Sequence, residues 1–196
     1  MLHVDDGARA HRIVLRSFDL PGAGWEAIRP PASTAEMVYG DDLFDACLAG
    51  FPDPDVTGSA ESDRFTRHNT LAYSVAWVLA SDAAAEIAFA TLAHERFATA
   101  FVAGMAAEVD PGKCAATLLG HVAVPVGGID SAGRSAAHQA RLTAADAEGV
   151  LPIHLELLAL AEERAVTLVI LADSPDPMDG DDVRTVAERV ARRLAP

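Results

Sequence analysis

Thr70-Leu-Ala-Tyr-Ser-Val-Ala-Trp-Val-Leu-Ala80 alternates large and small side chains in steps of two. In an extended chain, successive side chains point to opposite sides, so Leu71, Tyr73, Val75, Trp77 and Leu79 share one face and Ala72, Ser74, Ala76 and Val78 the other. A strand with so apolar and aromatic a face needs a second layer against it. Ser81 or Asp82 then offers an N-cap. The Ala-, Glu- and Leu-rich run that follows, free of proline until Pro111, predicts one long helix to about Val109. Its stripe reads Ile87, Ala90, His94, Phe97, Phe101 and Met105 in steps of three and four, which turns His94 toward the strand.

Toward the C-terminus, β-type segments at about 115–126, 134–145, 151–161 and 164–172 are separated by turn chemistry at 127–133, 146–149 and Glu162-Glu163. Short connections of this kind predict an antiparallel meander. Val183, Val186, Ala187, Val190 and Leu194 follow at helical spacing. Asp179 or Asp181 is placed to cap that helix, and Arg189, Arg192 and Arg193 suit the dipole at its end. Toward the N-terminus, Pro21-Gly-Ala-Gly-Trp25 and Pro30-Pro31 break regular structure, and Phe51 to Ser59 reads as a surface loop. Residues 1–60 are therefore expected to be an irregular wrap anchored by Trp25, and 70–196 to hold the sheet and helices. The expected class is α+β: a mostly antiparallel sheet of about five strands, with a long helix and a C-terminal helix packed on it, in a single domain 1–196.

Composition narrows the function. The 196 residues are 51% hydrophobic and 22% charged, enough apolar surface for a core, and the net charge of −14 repels phosphate backbones and anionic lipid. Nucleic-acid binding and membrane insertion are excluded on that reading, since no run approaches the roughly 20 apolar residues of a spanning helix. Lys113 is the only lysine and alanine is over-used, a bias of coding DNA rather than of function. No phosphate loop, nucleophile elbow or zinc-protease motif occurs. The run Asp176-Pro-Met-Asp-Gly-Asp-Asp182 has a calcium-loop composition but not the spacing, and no cofactor or metal is expected.

Seven histidines remain as chemistry-bearing candidates. With the 127–133 turn centred near Asp130, His121 falls opposite His138, and the next hairpin sets Arg141 near His154 and Gln139 near Glu156. That second face is expected to be polar and solvated. His94 from the helix could approach His121 and His138 on the apolar face, although isolated core histidines usually serve as hydrogen-bonded packing residues. Trp25, Phe51, Tyr73 and Trp77 are the aromatic candidates for a cavity wall; the same residues could equally be plain core. Cys47 and Cys114 lack CxxC spacing, which leaves either a disulfide or two free thiols.

Asp45-Ala-Cys47-Leu-Ala-Gly-Phe51-Pro52, then Glu61-Ser-Asp-Arg64, a strand and a helix ending near Cys114, resembles a group of actinobacterial secreted proteins and lipoproteins. Their layout is similar to PsbP-like folds and to the extracellular sensor domain of a mycobacterial transmembrane Ser/Thr kinase. The likeness covers the chain from about Leu20 onward in architecture, and in motif only the Cys-x-x-x-Phe-Pro stretch and the second cysteine. It implies helices packed on an antiparallel sheet, a Cys47–Cys114 bridge, and a ligand-sensing cleft without catalysis. It also implies an extracellular or envelope location if a leader precedes Met1, with a cytoplasmic one otherwise. The expected function is thus a non-catalytic binding or sensor-like domain for a small hydrophobic molecule, contacted by Trp25, Tyr73, Trp77, His94, Phe97, Phe101, His121 and His138. A cytoplasmic cavity enzyme of cyclase or isomerase type, with His94, His121 or His138 as acid or base, and an acidic protein-interaction module are the alternatives. The oligomeric state is left open.

Overall fold

The computed structural model describes residues 4–28, 48, 50–52, 54–108, 117–126, 133–145 and 150–195. In chain order these form α1 (Val4–Ile13), a 3₁₀ turn (Ser17–Asp19), β1 (Glu26–Ile28), β2 (Val56–Glu61), β3 (Arg64–Arg67), β4 (Thr70–Leu79), α2 (Asp82–Leu92), α3 (Glu95–Glu108), β5 (Thr117–Val126), β6 (Arg134–Ala145), β7 (Val150–Glu162), β8 (Ala165–Asp173) and α4 (Gly180–Ala191). The class is α+β, as the order of predicted strands and helices implies. Every strand pairing is antiparallel, in the order β1-β3-β4-β8-β7-β6-β5, with β2 beside β3 on the same edge of β4.

Among the described residues the sheet has eight strands instead of about five, because α1, β1 and β2 form regular structure within the part expected to be an irregular wrap. β1, β2 and β3 are short and polar, and Gly58 and Ser59 in β2 carry turn-type composition, so no alternation announces them. α1 is likewise regular. It packs on β2 and β4 over the small side chains of Ala72, Ser74 and Ala76. Leu15 donates its backbone N–H to Ser74 Oγ at 2.7 Å, and Gly58 leaves room for the backbone of Asp6 and Gly7.

Helices cover both faces of the sheet. α1 and α4 enclose one core with Phe65, Leu158, Leu160, Val169 and Leu171; α2 and α3 enclose the other with Tyr73, Leu79, Leu157, Leu168 and Ile170. β4 supplies both, its odd-numbered residues facing α2 and its even-numbered ones facing α1, as expected. Asp179 caps α4 by accepting from the N–H of Asp181, and Ser81 caps α2 by accepting from that of Ala84.

The single long helix is corrected to two. The ladder stops at Ala93: Phe97 N–H donates to His94 O, and Arg96 N–H donates to His94 Nδ1 at 3.0 Å, so the His94 side chain serves as the acceptor at the start of α3. The break restarts the apolar stripe. Ala85, Ala88, Thr91 and Leu92 are buried in α2, whereas Ile87 is 43% exposed and Ala90 and His94 are also exposed. Phe97 and Phe101 are fully buried, as expected. The two helices cover different strands, α2 lying on β4, β7 and β8 and α3 on β5 and β6.

Candidate functional site

Where α2 meets the edge of the sheet, Leu48, Pro54, Val56, Trp77, Leu79, Ala88, Thr91 and Leu92 line a pocket of about 110 Å³. Register explains the wall: Val56 pairs with Leu79 and Ser59 with Trp77, so β2 and β4 present their larger residues beneath α2. Among the described residues the lining contains no titratable side chain. Its one hydroxyl, on Thr91, donates back to Ile87 O at 3.0 Å and is thereby satisfied within the helix. An apolar cavity of about 150 Å³ admits benzene, so this one suits a single ring or a short alkyl chain.

Of the eight expected contact residues, Trp77 alone lines this pocket, half-buried on β4. Tyr73 is on the same face but in the core, with the Arg64 guanidinium 5.7 Å from its ring. Phe97 and Phe101 stack at 6.0 Å and are core as well. Trp25 packs on the opposite face, its Nε1–H donating to Pro21 O at 2.8 Å and its ring covered by Arg67 at 4.6 Å. It shares no cavity with Trp77. The lining residues missed by sequence reading are those of the supposed loop (Pro54, Val56) and of α2, whose phase depends on the break at Ala93.

The histidine trio is also corrected. His121 pairs with Leu142, and His138 with Pro125, a shift of four residues from the expected register. His94 is exposed, with its ring edge-on to Phe51 at 5.7 Å. His138 is 2% exposed and its Nε2 lies 3.0 Å from Ala93 O, the carbonyl released by the helix break. Donation from Nε2 leaves Nδ1 as the bare nitrogen, and Nδ1 has no partner among the described residues. Burial pushes the pKa of His138 below its ordinary value, opposed by the backbone contacts at Ala93 and Leu92. His138 therefore fastens the α2–α3 junction to β6. Among the described residues no group of three His, Cys, Asp or Glu side chains is placed to hold a metal. Cys47 and Cys114 lie outside the described residues.

No family model matches the chain, and no curated protein matches it. Among solved structures, the fold is similar to the crystal structure of the extracellular domain of PknH from Mycobacterium tuberculosis, with a TM-score of 0.51 at 10% identity over 97% of this chain and 97% of that one. At that identity the likeness concerns the fold alone, and agrees with the sensor-domain-like architecture expected from the sequence. No helix of the described residues is long and apolar enough to cross a membrane.

Proposed function

We propose that this chain is a non-catalytic, sensor-like binding domain whose pocket beside Trp77 takes a small hydrophobic molecule or the apolar end of a larger one. The carrying observation is the pocket's composition: an apolar concavity with no acid, base or nucleophile among the described residues of its lining. Such a wall can bind and report, and none of its described side chains can move a proton, which favours binding over cyclase or isomerase chemistry. Its fold likeness to an extracellular domain supports the same reading and an extracellular or envelope location. The contact set is Trp77, Leu79, Ala88, Thr91 and Leu92, with Tyr73, Phe97 and Phe101 as the packed layer behind it.

Two tryptophans on opposite faces make the test direct. In a Trp25→Phe variant the emission comes from Trp77 alone, and toluene is expected to change it saturably. Native mass spectrometry of protein purified from its own host is expected to show a retained apolar molecule. Emission that responds only linearly to toluene, together with an unliganded mass, overturns the proposal.

A further inference from the structure

On the face opposite that pocket, β6 and β7 set four polar side chains in a square. Gln139 pairs with Glu156 and Arg141 with His154, and residues two apart along a strand point the same way. With Pro177, from the segment entering α4, they line a cleft of about 340 Å³, within the range of small-molecule sites. This is the face read from the sequence as solvated, and for Glu156 that reading is corrected. Glu156 is 7% exposed and lies deepest of the four, while Gln139 and Arg141 are exposed and His154 half-buried at the rim.

We infer that this cleft is a second binding site, for a small organic acid whose carboxylate pairs with Arg141 and whose neighbouring carbonyl or hydroxyl oxygen accepts a hydrogen bond from the carboxylic acid of Glu156. Among the described residues Arg141 makes no ion pair, which leaves its exposed guanidinium available to an anion. A guanidinium suits a carboxylate because its planar fork offers two parallel donors. Burial raises Glu156 to about 7, partly offset by a hydrogen bond from Gln139, so near neutrality it holds a proton it can donate.

The other groups around the cleft leave that assignment intact. On β8, Leu171 stands opposite Glu156. Asp173 stands opposite His154 but is engaged, accepting from Thr70 Oγ1 at 3.0 Å and from Ser174 N–H at 2.8 Å. β5 sets Val122 and Val124 opposite Arg141 and Gln139, and Asp176 directly precedes the lining Pro177.

Pyruvate is a suitable probe, with methyl pyruvate as the uncharged control, followed by amide chemical shifts of the full chain. Saturable shifts are expected at Gln139, Arg141 and Glu156, with affinity about thirtyfold weaker at pH 8.5 than at pH 6 as Glu156 loses its proton. Arg141→Gln, on an exposed side chain, is expected to weaken binding about tenfold or more at both pH values. Glu156→Gln keeps a donor and is expected to bind with little pH dependence. Equal binding of the methyl ester, or no saturable shift at these residues up to about 50 mM, overturns the inference. So does a pH dependence that survives in Glu156→Gln, which would move the proton to His154. None of these outcomes touches the pocket at Trp77.

Discussion

Replacing Arg193 by methionine removes the group that fastens the C-terminal helix to the N-terminal segment. Asp19 is fully buried, at 0% exposure. Its Oδ1 accepts from Arg193 Nη1 at 2.7 Å, and its Oδ2 accepts from Arg193 Nη2 and from the Arg16 N–H, each at 2.7 Å. The same Nη2 reaches Ile13 O at 3.3 Å and Val14 O at 3.1 Å, where α1 ends. The substitution leaves a buried carboxylate with one backbone donor. Breaking one side of such a pair costs about 3–5 kcal/mol, against about 0–1 kcal/mol for a surface pair. In a chain of this length each kcal/mol lowers Tm by about 2–4 °C, so a drop on the order of 10 °C is expected by circular dichroism. Urea denaturation should give the same loss, and Asp19→Asn combined with Arg193→Met should recover part of it, because the two sites are coupled. A loss below about 1 kcal/mol, or strictly additive single substitutions, refutes the reasoning.

Gly58→Ala sets a Cβ within 2.5 Å of Asp6 O and Gly7 N, backbone that cannot yield cheaply, so a cost of about 1–3 kcal/mol is expected; Gly7→Ala, with open space around it, serves as the control in thermal melts. Glu156 predicts an unusual pH profile. Because its folded pKa is raised to about 7 from an ordinary value of 4.5, its contribution is fully present below about 4.5 and is lost as pH rises through 7. The span is on the order of 3 kcal/mol, and urea titrations of Glu156→Gln should lack it. His138 acts in the opposite sense. Its lowered pKa means the unfolded chain takes the proton first, so stability falls as pH drops below the ordinary value of 6.5, a slope that His138→Gln should remove.

Strand β4 and its two faces were legible because period-two alternation is a local signal, and so was the β6–β7 register that pairs Arg141 with His154 and Gln139 with Glu156. The His121–His138 pairing failed because a glycine-rich turn does not reveal its centre from composition. The shift of four is even, so the faces of β6 survived while the partners changed. The break at Ala93 carries no proline or glycine. It depends on a histidine side chain taking Arg96 N–H and on another, from β6, meeting the freed carbonyl, and neither contact is visible in helical periodicity. The phase of α2, and with it most of the pocket wall, was lost at that point. α1 was hidden by its polarity and by Gly7, a poor helix former. Glu156 reads as a solvated residue in any alternating strand; its burial at 7% exposure comes from tertiary packing, which period-two alternation does not report.

The pocket beside Trp77 is tested most directly by titrating toluene into the isotopically labelled chain and its Ala88→Leu variant, following the Trp77 indole N–H and the amides of Thr91 and Leu92. Saturable shifts confined to these positions, abolished when the leucine side chain occupies the roughly 110 Å³ space, are the expected result. Shifts that never saturate, or that persist unchanged in Ala88→Leu, contradict a binding role for this pocket.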